Sequence, residues 1–220
     1  MAGGLGRWTA VAPTERAPDG LLFHYAPNRA AWRRWLERHH TTSPGVWLVY
    51  YKRASGKPRV EYNDAVEEAL CFGWIDSRLN GIDEWRSRQL FTPRRPKSAW
   101  SASNKERVER LVAAGLMTDA GLAAIEVAKA NGMWTAYDDV AALTMPDDLR
   151  AALSRDRVAR LNFEGFSKSA RKGILWWIQS AKRPETRARR VSETVRLAHE
   201  NRMAGFPPGH DHGPKPKPLR

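Results

Sequence analysis

The chain carries a single cysteine, Cys71, in 220 residues, so no disulfide can close within it. Its first twenty residues lack the basic segment and apolar run of a secretory signal. Together these features lead us to expect a cytoplasmic protein held by packing rather than by cross-links. No stretch approaches the roughly eighteen consecutive apolar residues of a membrane span, so no membrane partner is expected. The phosphate-cradling GxxxxGK[ST] and the dinucleotide-binding GxGxxG are both missing. His39 and His40 are neighbours whose side chains diverge on a helix, and His210 and His212 suit only adventitious metal binding. No resident metal and no cofactor are expected. No Ser/His/Asp spacing reads as a triad, which leaves open whether the chain is an enzyme.

Acid is also in short supply. Twenty-four Asp and Glu stand against 37 Lys and Arg, a net charge of +13 and a pI near 10.4. Such a surface concentrates anions, nucleic acid and acidic partners, although basic solvated helix faces give the same excess. The apolar fraction of 42% is enough for a real core.

The hydrophobic pattern predicts an α+β fold: a small mixed sheet packed with helices, followed by a helical C-terminal module. Residues 1–20 read as a flexible arm, 21–135 as the α+β domain, 140–203 as the helical module and 204–220 as a disordered basic tail. Asn28 is placed to cap a helix through Trp32, Trp35 and Leu36. Val46–Tyr51 is continuously apolar and predicts a central strand covered on both faces. Arg59–Tyr62 reads as a short partner strand, and Asn63 as the cap of a helix that Gly73 stops. Trp74–Asp76 and Arg88–Phe91 read as extended, around a turn at Asn80-Gly81. Ser103 and Glu106 form an S-x-x-E capping box, and further helices start near Asp119 and Asp147. The run Ala170, Ile174, Trp177, Ile178, Ala181 predicts an amphipathic helix. Pro184 opens the last one, with Ala188, Val191, Val195 and Ala198 as its core face.

Three stretches carry a resemblance. ALCFGWIDS, FTPRRPKSAWSASN with the ERL after it, and AKRPETRARRV resemble the YdeI/OmpD-associated family, over roughly Ala31 to Leu197. Its helical C-terminal module is also called OmdA, a bacteriocin-protection domain. The resemblance implies a bacterial cytoplasmic protein linked to stress or bacteriocin tolerance. It implies no catalytic residue set.

The segment from Ala65 to Asn104 mixes apolar anchors with charge-binding groups. Cys71 lies at a predicted helix C-terminus between apolar neighbours, a setting for a structural thiol rather than a nucleophile. Asp76 follows Trp74-Ile75 and needs a partner, either Arg94 or Arg95 in a structural pair or a polar ligand in a pocket. Arg94 and Arg95 are held by two prolines and precede Ser98, Trp100 and Asn104 at a helix start. A pocket of Trp74, Asp76, Arg94, Arg95, Ser98, Trp100 and Asn104 would hold a small anionic or nucleotide-like ligand, with Trp100 stacked on it. Asp76 as an acid/base group of an enzyme is one alternative. A second alternative is the basic C-terminal half: residues 155–202 hold thirteen cations against five acids. There Arg183, Arg187 and Arg190 share a helix face that would lie along a phosphate backbone, or a solvated surface with internal ion pairs. Nucleic acid is the less favoured partner, and a protein partner for the helical module remains open.

Overall fold

The computed structural model describes residues 15–207 and residue 213. The first fourteen residues of the expected arm, most of the expected tail, and both His210 and His212 lie outside the described residues. The chain divides into two compact units, Met1–Thr135 and Ala136–Arg220.

The first unit is built on four strands: β1 (Leu22–Tyr25), β2 (Val46–Tyr51), β3 (Trp74–Gly81) and β4 (Arg86–Pro93). Their order is β1-β2-β4-β3, with β1 parallel to β2 and the other pairs antiparallel. Two parallel strands need a crossover, here supplied by α1 (Arg29–His39). Asn28 caps this helix through its side chain, accepting from the Ala31 N–H at 2.9 Å. β2 is buried at all six positions, as its unbroken apolar run requires. Val46, Leu48 and Tyr50 face one core with Trp32, Leu36, Trp74 and Phe91. Trp47 faces the opposite side with Ala17 and Leu90. The expected arm therefore ends early: Arg16 bridges to Leu22, and Ala17 is 5% exposed.

Three more helices complete this unit: α2 (Tyr62–Cys71), α3 (Ala102–Ala113) and α4 (Asp119–Ala130). α2 starts one residue before the expected cap, so Asn63 lies inside the helix. Residues 57–61 form no strand, and β3 continues through Asn80-Gly81 before the chain turns at 82–85. Gly73 ends α2 with a φ of 71°, where a side chain is disfavoured. α3 is capped by Ser101 rather than Ser103, its hydroxyl accepting from the Asn104 N–H. α2 and α4 approach so closely that the Thr118 hydroxyl donates to the Cys71 carbonyl at 2.6 Å. A Cβ on Gly121 would lie inside the contact radius of that same carbonyl. α1 and α2 are joined by charge as well. The 2%-exposed Glu68 accepts from Arg29 at 2.6 Å and from Arg33 at 2.8 Å.

The second unit is helical: α5 (Asp138–Ala141), α6 (Asp147–Ser154), α7 (Arg157–Gly165), α8 (Lys168–Gln179) and α9 (Pro184–His199). Leu149, Leu153, Phe163, Ile174 and Ile178 fill its core. The buried face of α9 is Val191, Thr194, Leu197 and Ala198, so the expected face is rotated and Ala188 is exposed. Part of the expected tail packs too: Ala204 is 1% exposed, and Phe206 lies against this core. Among the described residues, no helix is long and apolar enough to cross a membrane.

Candidate functional site

A polar cavity of the first unit lies where β2, β3 and β4 meet the start of α2. Its volume is about 460 Å³, within the roughly 300–1,000 Å³ of small-molecule pockets. Asp76 is the charge at its centre. Alternation along β3 puts Asp76 on the face of Trp74, and register sets it opposite Phe91 on β4. An irregularity between Asp76 and Leu79 then shifts the pairing, so that Gln89 of β4 faces Leu79. This brings Gln89, itself 4% exposed, to donate from Nε2 to Asp76 Oδ2 at 3.2 Å and to the Ser77 carbonyl at 3.0 Å. Tyr62, the first residue of α2, reaches over and donates its hydroxyl to the same Oδ2 at 2.8 Å. Asp76 Oδ1 has no hydrogen-bond partner among the described residues.

Tyr50, from β2, is 6% exposed and lines the same cavity. Its hydroxyl is enclosed and has no hydrogen-bond partner among the described residues. A buried hydroxyl left so costs about 1–3 kcal/mol, so the position calls for an explanation. Burial, and after it the negative charge of Asp76, pushes the Tyr50 phenol far above the ordinary value. Burial and the hydrogen bond to Asp76 also raise Tyr62. Both phenols therefore stay protonated, offering O–H groups rather than acting as bases. Arg59 closes one side, donating to the Tyr51 carbonyl at 3.0 Å and lying 3.4 Å from Glu61. Ser77 and Ser87 add hydroxyls, and the 64%-exposed Leu79 gives an apolar rim.

The residues expected to share a pocket with Asp76 lie elsewhere. Trp74 is 1% exposed, edge-on to Trp35, and donates its indole N–H to the His40 carbonyl at 3.1 Å. Trp100 is also 1% exposed, so it cannot stack on a ligand as an open platform. Its backbone N–H is tied to the Met133 carbonyl at 3.1 Å, and its ring packs on Trp134. Arg94 does not pair with Asp76. Its guanidinium lies 3.7 Å from the Trp100 ring centre and donates to the Ala99 carbonyl at 2.6 Å. Asn104 is 9% exposed and accepts from Arg107 at 3.0 Å, a structural bond within α3. Arg95 is exposed, and Ser98 closes a turn through its N–H to the Arg95 carbonyl at 2.9 Å. Cys71 is fully buried, and burial pushes its thiol up to about 11, which removes it as a nucleophile.

In the second unit the basic face of α9 is largely spent on its own fold. Arg187 forms a two-point bond to Asp148, at 2.7 and 3.0 Å, and holds that carboxyl below its ordinary value. Arg190 donates to the Trp177 carbonyl and, at 3.1 Å, to the Ser180 hydroxyl, with its guanidinium over the Trp177 ring. Only Arg183 of the three is exposed.

Sequence reasoning singled out Asp76 but not Tyr50, Tyr62, Gln89 and Arg59, which line the same cavity. Tyr50 carried a usable signal, a hydroxyl inside an otherwise apolar central strand. Gln89 carried another, an amide within the extended run that leads to Phe91.

Two family models match the chain. Residues 24–124 match a domain of unknown function (DUF8412). Residues 142–201 match the model described as bacteriocin-protection, YdeI or OmpD-associated. Comparison with curated proteins and with solved structures gives no match. The helical unit thus carries the motif-level resemblance that its sequence suggested. Over residues 142–201 this chain is therefore similar to the YdeI- or OmpD-associated (OmdA) family.

Proposed function

We propose that the first unit is a binding module for a small polar ligand that presents N–H or O–H donors to Asp76, in a cytoplasmic bacterial protein of the stress or bacteriocin-protection type. The observation that carries this reading is the enclosed, unpartnered Tyr50 hydroxyl beside a carboxylate whose Oδ1 is free. A folded chain retains such a group when something else satisfies it. Gln89 and Tyr62 fix the carboxylate from one side, so its remaining oxygen keeps one orientation. A neutral donor-rich molecule such as a nucleoside or a sugar, or a small amine, matches this lining. Within the nucleotide-like class, the base or ribose is the part that fits here. The helical OmdA module is read as the surface for a protein partner.

The nucleic-acid reading loses its face, because Arg187 and Arg190 are already engaged by Asp148 and by Trp177 and Ser180. The acid/base reading keeps its residue, but the raised phenols beside it are neither bases nor strong proton donors. Binding is therefore the function the geometry supports best.

The test is a thermal-shift screen of the full chain with guanosine, adenosine, cytidine, glucose and putrescine, alongside Asp76→Asn. A ligand at a hundredfold excess over its Kd stabilises the native state by about 2.7 kcal/mol. We expect at least one of these probes to raise Tm in the wild type and not in Asp76→Asn. A shift of equal size in the variant, or none with any probe, overturns the reading.

A further inference from the structure

A second and separate set of unsatisfied donors surrounds the Arg94–Trp100 pair. Arg94 Nε and Nη1 are buried without hydrogen-bond partners, and so is Trp100 Nε1. Only Nη2 of Arg94 is engaged, by the Ala99 carbonyl. Because the guanidinium lies 3.7 Å from the indole centre, the three free donor nitrogens belong to one cluster. An unpaired, largely desolvated cation is costly, and unpaired donors add to that cost. No carboxylate among the described residues forms an ion pair with Arg94. Burial lowers its guanidinium to about 10, and the charge of Asp76 only partly offsets this.

Beside this pair is a cavity of about 170 Å³, lined by Arg94, Arg95 and Trp100 on one side and by Ala124, Val127 and Ala128 of α4 on the other. It is well below the roughly 300 Å³ at which drug-sized pockets begin, so it suits a head group or a very small acid. Its chemistry is two-sided: cation and N–H donors face three small apolar side chains. Arginine is the side chain whose fork best matches the oxygens of a carboxylate or phosphate. The exposed Arg95 adds a second positive charge at the mouth.

We propose that Arg94, Arg95 and Trp100 form an oxyanion-binding site, distinct from the Asp76 cavity, for a carboxylate or phosphate group carried on a small apolar body. The oxyanion pairs with the free edge of Arg94 and accepts the Trp100 indole N–H. The apolar body lies along Ala124, Val127 and Ala128. A small shift of the Trp100–Arg94 pair exposes the three donors to it.

The experiment is a ¹⁵N NMR titration of the full chain with inorganic phosphate in one arm and propionate in the other, at constant ionic strength. It follows the Trp100 indole N–H and the Arg94 Nε–H. Arg94→Lys keeps the charge but loses the fork. Val127→Phe, at a 45%-exposed position, blocks the mouth without touching the donors. Saturable movement of both signals in the wild type, with the Trp100 signal weakened about tenfold or more in each variant, supports the site. The arm that saturates identifies the group as phosphate or carboxylate. No saturable movement in either arm, or movement equal in wild type and both variants, overturns it. Asp76→Asn removes a negative charge that Arg94 senses and should leave the titration saturable, with equal or tighter anion binding, so this test and that of the Asp76 cavity fail independently.

Discussion

Replacing Tyr50 by Phe removes one oxygen from an enclosed position and keeps the ring that packs against the core of the first unit. If the hydroxyl is unsatisfied in the free protein, its removal relieves part of a desolvation penalty of about 1–3 kcal/mol. The deleted atom leaves a small void, so we expect a net gain of about 1 kcal/mol. In urea denaturation followed by tryptophan fluorescence, the midpoint should rise while the slope stays unchanged. Ligand binding should move the other way. A hydrogen bond made only in the complex is worth about 0.5–1.5 kcal/mol, so affinity for a responding probe should fall up to about tenfold. There is also a signature in pH. Tyr50 titrates above its ordinary value of 10.0 in the folded state, so its contribution is intact below pH 10. That contribution is lost as pH rises through the folded value, because the unfolded chain ionises first. Tyr50→Phe should flatten this alkaline loss. A variant less stable than wild type by 1 kcal/mol or more would refute the reasoning, since it would mean that the hydroxyl already has a partner.

Four further outcomes are expected. Burial depresses His24 from 6.5 to about 4, so its contribution is present above pH 6.5 and is lost as pH falls toward 4. At 1.36 kcal/mol per unit this is about 3 kcal/mol at most, and His24→Phe should remove that part of the acid slope in urea melts at pH 7 and pH 4.5. Glu68→Ala leaves Arg29 and Arg33 without their buried acceptor. The loss by denaturant titration should be about 2–3 kcal/mol, less than for a fully buried pair because the two arginines are 34% and 28% exposed. Gly121→Ala forces α4 away from the Cys71 carbonyl and should cost about 1–3 kcal/mol, read as a lower Tm. Arg187→Ala should leave polynucleotide binding unchanged in a gel-shift assay, while lowering the stability of the helical unit by about 1 kcal/mol or less.

The elements with long periodic patterns were legible, and those fixed by pairing were not. β2 announced itself as six apolar residues in a row, and α8 by its regular apolar spacing. The four residues of β1 show no alternation that separates them from a loop, and only their pairing with β2 makes them a strand. α7 escaped notice because Val158 and Leu161 are exposed at 48% and 53%, which blurs its face. The site shows the same division. Asp76 stood out as a carboxylate after two apolar residues, a purely local signal. Gln89, Tyr62 and Tyr50 come from β4, α2 and β2, and strand register together with the seating of α2 brings them to it. Arg94 and Trp100 were singled out together, with Trp100 expected to stack on a ligand as an open ring. The backbone tie to Met133 instead folds that loop inward. Arg187 and Arg190 share a face as their spacing requires, but the opposing Asp148 and Trp177 decide what that face does.

The buried Cys71 gives the first unit its own clock. It is the one thiol in the chain, and it sits at the end of α2 with its proton held by burial. A maleimide or disulfide reagent can reach it only when the packing around α2 opens. Modification rates in the absence of denaturant therefore report how often the packing around α2 opens, and opening of the helical unit alone leaves them silent. Any ligand that occupies the Asp76 cavity and braces the start of α2 should slow that clock, so occupancy can be read as a chemical half-life without knowing what the ligand does.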